Sequence, residues 1–144
     1  MAHERNFTKD DDLVVGDDIA LEFEVFGDDL VVDDDGAYVS GTPEDVAGWA
    51  LAFAVRTSDT TSASPVLSKS TSAGITITGT YDADHADNTQ RVRVAIADTD
   101  TYSDLGVVLV APKTYRYSLK RTDAGSEKTL AFGKFVLREL PVRA

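Results

Sequence analysis

Side chains that commonly carry chemistry are scarce in this chain of 144 residues. It has no cysteine, which excludes disulfides, thiolate nucleophiles and thiolate metal ligands. Its two histidines are His3 and His85, too few for a His-rich metal site. A nucleophile–base–acid arrangement would have to use one of them. His3 falls in a polar N-terminal stretch. His85 falls in Asp82-Ala83-Asp84-His85-Ala86-Asp87, which reads as an acidic loop. No Gly-x-Ser-x-Gly elbow, phosphate-cradling glycine loop or Gly-x-Gly-x-x-Gly occurs. Carboxylates are plentiful, with 25 Asp and Glu, but no spacing among them selects an acid–base pair. Asp33-Asp34-Asp35-Gly36 and Asp98-Thr99-Asp100 suggest calcium loops, yet neither fits the full loop pattern. Counted from Asp98, the glycine position is Ser103 and the closing glutamate position is Leu109. The expectation is a protein with no catalytic residues, no cofactor and no metal, and therefore not an enzyme.

The charge balance narrows the partners. Fourteen basic and 25 acidic residues give a net charge of −11. Nucleic acid and anionic membrane both require clustered positive charge, so neither is expected as a partner. The charge is also uneven. Residues 1–60 hold 16 acids and three bases, whereas residues 61–144 hold nine acids and 11 bases. Two readings of the acidic half stand side by side. Aspartates form turns and punctuate strands as solvated loops, or they form a docking face for a basic partner. No basic start followed by an apolar run marks a targeting signal. The longest apolar stretch, 47–55, is far short of the roughly 18–20 residues that span a membrane. The chain is expected to be soluble.

The elements that position these residues have a period of two. Ile19, Leu21, Phe23 and Val25 alternate with Ala20, Glu22 and Glu24, as in a half-buried strand. Trp49, Leu51, Phe53 and Val55 alternate with small alanines, so the second face of that strand is also expected to be covered. Val92, Val94 and Ile96 form a third strand, and Tyr115, Tyr117 and Leu119 a fourth. Shorter runs at 12–15, 65–69 and 75–78 and a long one at 129–137 complete the set. In the last, Leu130 and Phe132 share one phase while Phe135 and Leu137 share the other, which places a β-bulge at Gly133. Asp123-Ala124-Gly125-Ser126 reads as a hairpin turn. Residues 27–41 read as an acidic loop that can hold a small hairpin of Leu30–Val32 with Tyr38–Val39. A single helical turn is expected at 98–105, and no long helix. The expected core is Leu21, Phe23, Trp49, Leu51, Phe53, Val94, Tyr115, Tyr117, Leu119, Phe132 and Phe135.

Seven or eight short strands in one chain of this length read as an all-β fold, an immunoglobulin-like antiparallel β-sandwich without a disulfide. The expected organisation is an N-terminal arm (1–12), one sandwich domain (13–138) and a C-terminal tail (139–144).

A set of motifs in order carries a resemblance. Val15-Gly16-Asp17-Asp18 leads into the first strand, and Gly48-Trp49 into the second. Gly74-Ile75-Thr76-Ile77, an Ala97-Asp98-Thr99 turn, a hairpin running from Tyr115-Arg116-Tyr117 to Gly125, and a closing Gly133-Lys134-Phe135 strand follow. Over about residues 13–138 the chain resembles small immunoglobulin-like structural proteins of tailed bacteriophages, and is similar to the N-terminal module of siphophage baseplate upper proteins. The resemblance implies a non-enzymatic virion component. The chain stops after the sandwich, without the long extension that would carry a receptor-binding tip, and it has an acidic insertion at 27–45. What the resemblance then implies is an adaptor in the tail or baseplate, a fibre anchor, or a capsid decoration protein.

The expected partners are other virion proteins or further copies of the chain, and the expected location is the virion. Docking is expected through the termini, by Arg5, Asn6 and Phe7 in the arm and Leu140, Pro141 and Val142 in the tail, with strand addition to a sheet edge as one route. The alternative is a module that binds a bacterial surface carbohydrate. It would use aromatic rings in a row, for which Phe26, Tyr38, Tyr81 and Tyr102 are the candidates.

Overall fold

The computed structural model describes residues 3–7, 18–34, 38–56, 65–97 and 113–137. The strand expected at 12–15, the helical turn at 98–105, Tyr102 and the tail residues Leu140, Pro141 and Val142 lie outside them. The described residues are all β, without a helix. They form ten strands: β1 (His3–Glu4), β2 (Ile19–Phe23), β3 (Val31–Val32), β4 (Tyr38–Ser40), β5 (Leu51–Arg56), β6 (Leu67–Thr71), β7 (Gly74–Thr78), β8 (Arg91–Ile96), β9 (Lys113–Arg121) and β10 (Lys128–Leu137). Eight of them make one sheet in the order β1-β10-β9-β5-β6-β7-β8-β2, and β3 and β4 form a separate hairpin.

The sheet is mixed, where a purely antiparallel one was expected. β1 runs parallel to β10, with His3 opposite Ala131 and Glu4 opposite Phe132. β6 and β7 are also paired in parallel, but only through Ser70 with Gly74 and Thr71 with Ile75. Those partners are four residues apart in sequence, so this contact is a corner rather than a long ladder. Ser72 sits in it with a φ of 67°. The chain thereby passes from the β5–β6 hairpin to the β7–β8 hairpin, the kind of bend by which a strand turns a sheet.

The sheet curls around one core. Period-two burial is clear in β2, β5 and β8, where every second residue is inside. Phe53, Val55, Val92, Val94, Leu119 and Phe135 have no exposed surface. Each such side chain contributes about 1.5–3 kcal/mol through burial. Of the residues expected inside, Leu21, Phe23, Leu51, Phe53, Val94, Tyr115, Tyr117, Leu119 and Phe135 are buried. Tyr117 is the hub. Its ring lies 5.4 Å from Phe7, 5.8 Å from Phe23 and 5.6 Å from Phe53, centroid to centroid. These rings come from β2, β5, β9 and the end of the N-terminal segment, so strands far apart in the sheet order meet across the core.

Two core expectations need correction. Phe132 is 41% exposed. The register of β10 against β9 shifts between Thr129 and Ala131, not at Gly133. Leu130 and Ala131 are both buried as a result. From there residues 131, 133 and 135 face inward, and Phe132 is turned out. Trp49 is only half-buried at the rim of the core. It precedes β5 rather than belonging to it, and its backbone N–H donates to Val46 at a turn (3.1 Å). The guanidinium of Arg121 covers its ring at 3.9 Å, with Lys128 Nζ at 5.5 Å.

Candidate functional site

Arg5, Asn6 and Phe7 were expected to reach outward to a partner. They are bound to their own chain. The segment runs alongside β10, with Arg5 N–H donating to Phe132 O (2.9 Å), Phe7 N–H to Lys134 O (2.8 Å) and Val136 N–H to Phe7 O (2.8 Å). Residues 3–7 therefore lie along the edge of the sheet, paired with β10. Phe7 is 3% exposed and packs edge-on against Phe23 at 5.8 Å. Burial of this ring adds about 1.5–3 kcal/mol to what the backbone ladder supplies.

One rung of this ladder is replaced by side chains. In a regular parallel pair the carbonyl of Arg5 would accept from Lys134 N–H. Here Lys134 N–H donates to Asn6 Oδ1 (2.8 Å), and the Arg5 carbonyl instead accepts from the Tyr117 hydroxyl (2.6 Å). Burial pushes the Tyr117 phenol well above its ordinary range, so it stays a donor. The carbonyl passes directly over Gly133. A Cβ there would lie 2.1 Å from Arg5 O. Gly133 is thus required for the close approach of the N-terminal segment, and not for the bulge that the hydrophobic phase suggested.

The guanidinium of Arg5 closes the seam between the two ends of the sheet. It lies over Phe7 at 4.7 Å and Phe23 at 5.7 Å, and it donates to the backbone carbonyl of Glu22 on β2. β1 and β2 stand at opposite ends of the strand order, so Arg5 bridges the two edges of the curled sheet. The alternation pattern alone gave no sign of this: residues 3–7 contain too few apolar positions to show a period.

His85 belongs to a second polar cluster. The Glu24 carboxylate, nearly enclosed, accepts from His85 Nδ1 (3.0 Å) and Asn88 Nδ2 (2.9 Å), with Arg91 at 3.6 Å. Gln90, 6% exposed, accepts from Val46 N–H (3.0 Å) and donates to Asp45 (2.9 Å). Asp82 N–H donates to Asn88 Oδ1 (2.9 Å). These bonds pin the 79–90 loop to the end of β2 and to residues 43–46. Among the described residues no buried side-chain polar atom lacks a partner, and no group of three or more His, Asp or Glu side chains could hold a metal ion.

Of the aromatic candidates for a sugar face, Phe26 and Tyr81 are engaged within the fold, and Tyr102 lies outside the described residues. Phe26 is buried and pairs with Pro43. The Tyr81 hydroxyl donates to Pro43 O (3.0 Å). The exposed large hydrophobics among the described residues are Val31, Val39 and Phe132. Compared with known proteins, the chain matches no family model and no curated protein.

Proposed function

We propose that the chain is a non-catalytic structural protein of a tailed-bacteriophage virion, an immunoglobulin-like β-sandwich that docks onto other virion proteins as a tail, baseplate or fibre adaptor. The observation that carries the reading is the placement of the ordered motifs. Gly48-Trp49 leads into β5, Gly74 to Ile77 lies in β7, Tyr115 to Gly125 is β9 with its turn, and Gly133 to Phe135 lies in β10. All sit on one core. The corner at residues 70–75 supports a two-layer arrangement, with β1-β10-β9-β5-β6 facing β7-β8-β2.

Docking then works by surface complementarity. Among the described residues, the exposed Val31 and Val39 on the β3–β4 hairpin and the outer sheet face around Phe132 offer apolar surface to a partner. A capsid decoration role uses the same module and differs only in where it attaches. Quantitative mass spectrometry of purified particles of the encoding phage tests the reading. A fixed copy number relative to the major capsid protein is expected. Loss of the chain on gradient purification would overturn it.

A further inference from the structure

The outer face of β10, β9 and β5 carries cations in register. Arg56 is opposite Arg116, and Arg116 is opposite Lys134. The three positions stand side by side on neighbouring strands, about 4.8 Å apart. Their neighbours Val55, Tyr115, Tyr117 and Phe135 are buried, so this row points away from the core. Like charges placed directly opposite weaken a sheet. Among the described residues, no carboxylate forms an ion pair with Arg116 or Lys134. Beside the row, the outward positions Ser118, Ala54 and Ser68 form a strip of short side chains across three strands, with Phe132 next in register on β10. A basic row of this kind is suited to an anionic partner.

The same molecule presents such a surface elsewhere. The Leu51–Arg121 pair lies five residues along the ladder from Arg56–Arg116, about 17 Å away. Beyond that end lies the acidic part of the chain. Glu44 meets Lys128 there at 3.5 Å, and the 79–90 loop packs on it through Tyr81 and Pro43. Asp34, Asp82, Asp84 and Asp87 are exposed. The two surfaces are opposite in charge and lie toward different ends of the domain.

We propose that the chain self-associates head to tail, with the acidic end carrying Asp82, Asp84 and Asp87 of one copy docked on the Arg116–Lys134 row of the next. A contact between two different patches is heterologous, so repetition gives a ring if it closes and a filament if it does not. Nucleic acid is the weaker occupant, because the chain's net charge of −11 repels a polyanion at a distance. The proposal stands apart from the virion reading, since a chain that associates with itself but is absent from particles keeps this inference and loses that one.

Sedimentation velocity of the full chain at low and high ionic strength tests it. Concentration-dependent oligomers are expected at low salt and should dissolve at high salt, where screening reaches across the contact. Arg116→Glu with Lys134→Glu should sediment as a monomer, as should Asp82→Lys with Asp84→Lys. The acidic-end variant provides a second arm in case the sheet variant does not fold. Mixing the two variants should restore association as hetero-oligomers in which the two variants alternate, because the native pair of surfaces is complementary and the mutated pair is again opposite in charge. A wild-type monomer at low salt overturns the proposal. So does self-association that survives both double substitutions, or a row that binds inorganic polyphosphate while the chain stays monomeric.

Discussion

Tyr117 and Arg5, 112 positions apart in sequence, are joined by a hydrogen bond of 2.6 Å from the phenol to the backbone carbonyl. It ties the N-terminal segment to the centre of the core through the same ring that touches Phe7, Phe23 and Phe53. Tyr117→Phe keeps the ring and removes the donor. It is expected to cost about 1 kcal/mol, read as a lower urea midpoint at an unchanged slope. An unchanged midpoint would mean that the carbonyl is satisfied by water.

Gly133 makes that bond possible. Any Cβ at this position meets the Arg5 carbonyl, and the obstacle is backbone, which yields less readily than a side-chain tip. Gly133→Ala should displace residues 3–7 and destabilise the fold by about 1–3 kcal/mol. Hydrogen exchange reads it locally: the amides of Arg5, Phe7 and Val136 should lose protection first. Retained protection there would place the N-terminal segment elsewhere.

Two phenylalanines separate inside from outside. Phe7→Ala should destabilise the isolated chain by about 3–5 kcal/mol, although it lies only seven residues from the start. Phe132→Ala, in the middle of a ten-residue strand, should change stability by less than about 0.5 kcal/mol. Thermal midpoints of the two variants check this, and the reverse order would refute the register of β10.

The strands were largely legible because half-buried strands write their burial as alternation, and β2, β5, β8 and β9 do so cleanly. The small β3–β4 hairpin was legible from its two apolar runs within an acidic loop. What local pattern could not supply was long-range. The parallel pairing of β1 depends on β10, more than 120 residues later. The bulge was placed three residues late because Leu130 and Phe132 look in phase until the partner strand fixes which of them is doubled. Trp49 looked like core because it continues the alternation of β5, but the strand begins only at Leu51 and cationic side chains cover its ring. The Glu24–His85–Asn88 cluster brings together two segments about 60 residues apart, and a lone histidine in an acidic loop gives no hint of its carboxylate.

Acid should act through specific carboxylates. Asp123 is held below the usual carboxylate range by the Arg121 guanidinium, aided by the Ala50 N–H, and Asp45 by the Gln90 amide. Their folded values are depressed, so the unfolded chain takes up protons first. The stability these contacts supply is complete above about pH 4 and is lost as pH falls through the lower folded values. The gap in thermal midpoint between the wild type and Asp123→Asn should therefore be full at neutral pH and close below about pH 4. A gap that does not change with pH would assign the effect to shape rather than charge.

Co-sedimentation of the purified chain with purified tails and, separately, with purified capsid shells of the same phage tests the structural role most directly. Saturable, stoichiometric binding to one of the two is the expected result, and it would also locate the attachment site. A chain that pellets with neither, at concentrations where it is folded, would contradict a role as a virion docking module.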